Sequence, residues 1–296
     1  MGVFLDVRLA GKQVLIEPVT AAVGADVTGV DLSQPLDLET LATIRAALRE
    51  HFVLFFRNQP LLSVDEHVRF ANYFGEIDMP LFRTKLSERP EVLMLDQVAP
   101  KGEGADSWHA DATYMETPPM GAILQARIMP HVGGDTCFAS MSAAYNALSP
   151  AMQSFLDGLT ATNSLELMVE RTKHVAGASV RDSLSQWPPV SHPVVRVHPE
   201  TGTKMLNVNA NWTASIDGLT QTESDMLLRF LNRHVNSPEF QVRLHWKVGD
   251  VAFWDNRALQ HYAVADYTSR RVMQRVSIAG DKPVGPSNVS GNRAVS

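Results

Sequence analysis

The sequence predicts a mainly β fold with flanking helices, a sandwich or jelly roll, and three observations carry that expectation. Many short apolar runs are separated by turn signals, the helical patterns gather mostly outside them, and the regular strand-helix alternation that a parallel sheet needs is missing. At 296 residues, 45% hydrophobic and 20% charged, the chain has the balance of a globular protein with a sizeable core. A single unit over 1–296 is expected, with an irregular excursion near 160–189 and a flexible tail after 284.

Val14-Leu15-Ile16 reads as a short strand stopped at Pro18, and residues 24–32 read as a glycine-punctuated turn and strand. Leu38, Leu41, Ile44, Ala47 and Leu48 fall at helical spacing between Asp37 and His51. Val53-Leu54-Phe55-Phe56 then reads as a strand buried on both faces. Ser63-Val64-Asp65-Glu66 fits a capping box, opening a helix with Val64, Val68, Ala71 and Phe74 as its stripe and Gly75 as its stop. Loop-like stretches at 76–80 and 101–106 bracket an apolar strand over 91–95. Residues 120–129 read as a core strand that turns through His131-Val132-Gly133-Gly134-Asp135 into another at 136–139.

Helices are predicted over 141–148 and 150–159, the second capped by Ser149 with Pro150 at its first position. Pro199-Glu200-Thr201-Gly202 is a hairpin signal between strands near 194–197 and 205–209. Thr220-Gln221-Thr222-Glu223 is a second capping box, with Met226, Leu227, Phe230 and Leu231 on its apolar face. Strands at 241–246, 251–254 and 271–279 complete the chain.

Several classes are set aside by composition. No apolar run approaches a membrane span, and the N-terminus lacks a charged region followed by an apolar one, so a cytoplasmic protein is expected. Cys137 is the sole cysteine, which excludes an internal disulfide or a multi-cysteine metal site. A formal net charge of -6 without a Lys/Arg run argues against nucleic acid. It does not argue against an anionic small molecule, which one or two pocket arginines decide.

The chemistry-bearing stretch is Ser107-Trp108-His109-Ala110-Asp111, which reads as extended. In a strand, residues i and i+2 project together, so His109 and Asp111 can grip one ion. His261, just past a strand and the polar turn Asp255-Asn256-Arg257, is the candidate third ligand. Two imidazoles and a carboxylate leave metal positions open and suit non-haem Fe(II), though zinc chemistry stays open on that evidence. In a regular strand Arg271 and Arg275 share a face while Arg270 points away, and two inward guanidiniums require anions.

Taken together, His109-x-Asp111, Gly133-Gly134-Asp135-Thr136, Trp254-Asp255-Asn256-Arg257, His261, Asp266-Tyr267, Arg271, Arg275 and Gly280-Asp281 resemble the taurine dioxygenase and dichlorophenoxyacetate dioxygenase family of Fe(II)/2-oxoglutarate enzymes. The similarity runs from about Val19 to about Pro283. It implies a double-stranded β-helix (jelly roll), a homo-oligomer, and His109, Asp111 and His261 as iron ligands. It further implies that Arg271, helped by the Thr136 hydroxyl, pairs with the distal carboxylate of 2-oxoglutarate, and that Arg275 meets the anionic group of the substrate. The expected reaction consumes O2 and yields succinate and CO2. Hydroxylation at a carbon bearing a sulfonate, sulfate ester or aryloxy group gives an adduct that collapses to a carbonyl compound and a released anion or phenol. A zinc-dependent hydrolase and a non-catalytic small-molecule-binding protein on the same scaffold are the alternatives.

Taurine itself fits poorly. The polar residues that the family uses for it after Phe-Gly-Glu are replaced here by Ile77-Asp78-Met79-Pro80-Leu81-Phe82, and Ala105 stands where the family has an Asn. Met79, Phe82, Ala105 and Trp212 are expected to line a more apolar pocket, suited to an alkyl sulfate, larger sulfonate or aryloxyalkanoate. Trp212 reads equally well as a core residue.

Overall fold

A computed structural model describes residues 7–9, 12–80, 89–98, 105–171 and 184–286. In chain order the strands are β1 (Val7–Leu9), β2 (Lys12–Pro18), β3 (Ala25–Thr28), β4 (Val53–Phe56), β5 (Ile77–Asp78), β6 (Val92–Gln97), β7 (Gly121–Ile128), β8 (Thr136–Ser140) and β9 (Thr160–Asn163). They continue as β10 (Val190–Pro193), β11 (Val195–Val197), β12 (Lys204–Leu206), β13 (Thr213–Ile216), β14 (Gln241–Leu244), β15 (Val251–Asp255), β16 (Leu259–Ala263) and β17 (Arg271–Ile278). The helices are α1 (Leu38–His51), α2 (Val64–Asn72), α3 (Met141–Asn146), α4 (Pro150–Leu156), α5 (Glu166–Arg171) and α6 (Gln221–Val235).

The large sheet runs β1-β2-β3-β4-β15-β7-β17-β5, with β6 also on β17, and a smaller sheet runs β14-β8-β16. Late in the chain, successive strands alternate between the two: β7 to β8, β14 to β15, β15 to β16 and β16 to β17 each cross from one sheet to the other. This alternation is the jelly-roll winding expected above. Of the strands expected at 241–246 and 251–254, the first ends at Leu244 and the second extends to Asp255, and each belongs to a different sheet.

The period-2 rule explains why β4 and β15 are buried throughout. Leu54, Phe56, Val251 and Phe253 face the layer that holds Ile44, Leu48 and Phe70 of α1 and α2. Val53, Phe55, Ala252 and Trp254 face inward toward Phe138 and Leu244 of the smaller sheet. Along β17 the same alternation sends Val276 and Ile278 to the helical side and Met273 to the inner core. Register against β6 is unbroken from Arg271 to Val276, and the shift against β7 between Val272 and Met273 is absorbed by β7.

Both capping boxes form, Ser63 with Glu66 and Thr220 with Glu223. Three local expectations are corrected. Helix α2 ends at Asn72 with Tyr73 as its cap in a right-handed conformation, so Gly75 does not stop it. Gly75 is needed instead for close approach, because a Cβ there would come within 2.8 Å of Ile278 Cγ2. The excursion near 160–189 contains β9, α5 and a 3-10 turn at Leu184–Gln186; its residues 172–183, like the tail from 287, lie outside the described residues. The His-x-Asp stretch is extended only to His109, since Asp111 already lies in a turn that continues through Ala112 at φ 49°. No helix among the described residues is long and apolar enough to cross a membrane.

Candidate metal centre and its cavity

His109 and His261 face each other across a single antiparallel bridge. Each N–H donates to the other's carbonyl, at 3.0 Å from His109 and 2.8 Å from His261, so the two side chains leave the backbone together and their rings sit 4.4 Å apart. Trp254 and Phe138 wall His261 in at 4.8 and 6.0 Å between ring centres. Asp111 arrives from the turn. Among the described residues these three form the one cluster able to hold a metal ion, with ligand atoms all within 4.8 Å of one another.

The donor chemistry fits an ion better than a network of protons. His109 Nε2 lies 3.6 Å and His261 Nε2 3.7 Å from Asp111 Oδ1, beyond hydrogen-bond range. Donors about 2.1 Å from a common ion would lie roughly 3–3.4 Å apart, slightly closer than observed. His109 Nδ1 donates to the Ser107 carbonyl at 2.7 Å, which turns Nε2 toward Asp111. Burial pushes the pKa of His261 down to about 3, so the ring is neutral and available to coordinate. Burial works to raise the pKa of Asp111, but Arg275, then His261 and His109, hold it well below the ordinary carboxylate range.

Arg275 Nη2 stands 2.8 Å from Asp111 Oδ2, and its guanidinium lies 5.5 Å over the Trp254 ring. Arg271 points inward on the same strand, four residues and about 13 Å away. It is buried, its Nε donates to the Gly134 carbonyl at 3.1 Å, and its Nη2 is buried with no hydrogen-bond partner among the described residues. The glycine pair is required here. Gly133 and Gly134 have φ of 81° and 75°, and a Cβ on Gly134 would press within 3.2 Å of Arg271 Cδ. Two residues on, Thr136 Oγ1 accepts from Trp246 Nε1 at 2.9 Å, which leaves its own O–H to donate.

A cavity of about 510 Å³ opens over His109 and Asp111. Met79, Ala105, Trp212 and Arg275 line it; Phe82 lies outside the described residues. Arg271 and Thr136 are not in its wall. Trp212 is both wall and core: it is buried beside Tyr114, Leu165 and Val169, and its Nε1 donates to the Ala110 carbonyl at 2.9 Å. Sequence reasoning missed Tyr114, Trp187, Asn211 and Asp78. Tyr114 sits three residues after Asp111, a proximity that could have flagged it. Asp78 is the polar exception in a loop that reads as apolar, and burial raises its pKa.

Residues 15–277 match the family model described as taurine catabolism dioxygenase TauD, TfdA family. An alpha-ketoglutarate-dependent sulfate ester dioxygenase of Pseudomonas putida is 38% identical over 284 residues, covering 91% of each chain. Among solved structures, one described as a putative alpha-ketoglutarate-dependent taurine dioxygenase from Burkholderia xenovorans superposes with a TM-score of 0.81 at 37% identity, covering 93% of this chain and 95% of that one. A structure of AAD-2 in complex with Mn(II) and N-oxalylglycine superposes at 0.78 with 27% identity, covering 91% and 98%.

Proposed function

The chain belongs to the taurine catabolism dioxygenase TauD, TfdA family, and from that premise we propose that it is an Fe(II)- and 2-oxoglutarate-dependent dioxygenase of an anionic, partly apolar small molecule. The observation that carries this reading is the convergence of two imidazoles and one carboxylate at a cavity that His109, Asp111 and Arg275 line. His109, Asp111 and His261 would hold the iron. When bound, Fe(II) and 2-oxoglutarate supply hydroxylation of a C–H bond by O2, with succinate and CO2 as co-products.

The residues divide the remaining work. Arg271, with a buried Nη2 still lacking an acceptor, would take the distal carboxylate of 2-oxoglutarate, and the Thr136 hydroxyl would add a second donor. Arg275 would hold the substrate's anionic head beside the metal, and Trp254 beneath it fixes the plane of the guanidinium. Met79, Ala105 and Trp212 would pack the substrate's apolar body and keep water out. A sulfate ester, sulfonate or aryloxyalkanoate held this way presents the carbon next to its head group. Hydroxylation there gives an adduct whose bond from carbon to the leaving group breaks as the carbonyl forms, and the hydroxyl proton goes to the phenol or, when a sulfur oxyanion leaves, to solvent.

The test is a succinate-release screen with Fe(II), 2-oxoglutarate and a panel of alkyl sulfates, sulfonates and aryloxyalkanoates. Substrate-dependent turnover is expected in the wild type and none in Asp111→Ala. Full activity of Asp111→Ala would refute the metal assignment, and an unchanged substrate KM in Arg275→Ala would remove Arg275 from the head-group site.

A further inference from the structure

Asp111 has no strand partner. The bridge that pairs His109 with His261 has ended before it, and the turn through Ala112 takes its backbone out of any ladder. A buried peptide N–H and C=O must still be satisfied. One side chain does both: Asn256 Oδ1 accepts from the Asp111 N–H at 2.7 Å, and Asn256 Nδ2 donates to the Asp111 carbonyl at 3.0 Å. The same Nδ2 donates to the Pro119 carbonyl at 3.1 Å, and the Asn256 backbone N–H donates to Met120 at 2.8 Å.

We infer that Asn256 is a positioning residue that fixes the carboxylate ligand relative to the two imidazoles and thereby sets metal affinity. The inference rests on the metal reading above. Asn256 stands in the corner between β15 and β16, five residues before His261, so its amide registers Asp111 to the strand that carries one imidazole. The backbone bridge registers the other imidazole to that same strand. All three donors are therefore held against one corner before any ion arrives. An ion binding this set does not have to order Asp111, and partners that orient ligands in this way are typically worth about 10- to 100-fold in metal affinity.

The geometry also requires an amide and no other group. Asp111 presents a donor and an acceptor to Asn256, and Pro119 presents a second acceptor, so only a side chain with both an oxygen and an NH2 answers all three. A carboxylate would face two carbonyl oxygens, and an apolar side chain would leave three buried polar groups unpaired. The staple closes the loop from Asp111 to Pro119 at both ends, and that loop carries Tyr114, Met115 and Pro119 to the cavity wall.

The test is Mn(II) binding without substrate, measured by calorimetric titration, in the wild type, Asn256→Asp, Asn256→Ala and Gln125→Ala. Gln125 is the matched control. It is another fully buried amide that clamps backbone, accepting from Leu62 at 2.9 Å and donating to Pro60 at 2.8 Å, but it points to the helical side of the large sheet. Both Asn256 variants are expected to bind Mn(II) about 10- to 100-fold more weakly, and Gln125→Ala to melt earlier with its Mn(II) affinity unchanged. Asn256→Asp, nearly isosteric, carries the test if the alanine variant does not fold. Wild-type Mn(II) affinity in Asn256→Asp would overturn the inference, as would an equal loss in Gln125→Ala. A wild type that binds no Mn(II) would overturn the metal reading beneath it.

Discussion

Replacing Arg271 with methionine should separate stability from function, because the two pull in opposite directions at this residue. Arg271 is 3% exposed, and burial pushes its pKa down. Its Nε donates to the Gly134 carbonyl, its guanidinium lies 6.0 Å from the centre of the Tyr267 ring, whose hydroxyl works to raise its pKa, and no carboxylate among the described residues forms an ion pair with it. Exchanging a buried ionic group for an apolar side chain of similar volume is often neutral or stabilising by about 1–4 kcal/mol. Against that stands the Gly134 carbonyl left without its donor, at about 1–3 kcal/mol. The net for the protein without 2-oxoglutarate is therefore close to zero or slightly favourable.

With 2-oxoglutarate the sign reverses. A ligand at 100 times its Kd stabilises the folded state by about 2.7 kcal/mol. Removing one member of a buried charge pair costs about 2–5 kcal/mol, or roughly 30- to 5000-fold in affinity, so the variant should gain almost nothing at the same concentration. Thermal unfolding with Mn(II), with and without 2-oxoglutarate, reads both quantities in one experiment. A variant that melts several degrees lower without 2-oxoglutarate yet keeps its 2-oxoglutarate-dependent rise would refute the assignment of Arg271 and the account of its burial.

Two further outcomes follow from packing and titration. A methyl group on Gly280 would overlap the Pro118 carbonyl and the Met120 amide, backbone that Asn256 holds from its other end, so Gly280→Ala should cost about 1–3 kcal/mol, read as a lower unfolding midpoint. An unchanged midpoint would mean that this segment can yield. His67 is fully buried, accepts from Gln274 Nε2 at 3.0 Å through Nδ1, and has its pKa pushed by burial down to about 3. Between that value and the ordinary 6.5 the unfolded chain holds the extra proton, so this contribution is complete above pH 6.5 and is lost as pH falls, by up to about 1.4 kcal/mol per pH unit. Denaturant titrations across that window should show the slope in the wild type and a shallower one in His67→Met; equal slopes would show that His67 does not carry it.

What the sequence made legible was local or strictly periodic. The capping boxes at Ser63 and Thr220 need only four consecutive residues, and the double burial of β4 needs only four apolar ones. The inward pairing of Arg271 and Arg275 needs only that β17 keep its alternation, and it does because the extra residue sits in β7. What stayed hidden depends on contacts between distant segments. Nothing around Ala112 announces a left-handed turn, and nothing in Trp254-Asp255-Asn256-Arg257 says that its amide reaches back to Asp111. Asp78 hides among apolar neighbours, yet it lies opposite Ser277 across the β5–β17 pair, in the wall that also holds Arg275.

Arg275 shows the limit most clearly. Periodicity can place a guanidinium on the inner face but cannot say which anion it meets. Here the neighbour is the carboxylate that would also bind the metal, at 2.8 Å through Oδ2. That contact leaves Asp111 Oδ1, the oxygen nearest both imidazoles, to face an ion. It also means that a substrate's anionic head would share the guanidinium with Asp111. Arg275 Nε is buried and without a hydrogen-bond partner among the described residues. Under the proposed function one arginine would therefore tie the charge on the metal ligand to occupancy of the cavity. Arg275→Ala should disturb metal affinity as well as substrate KM, whereas truncating a wall residue such as Met79 should move KM alone.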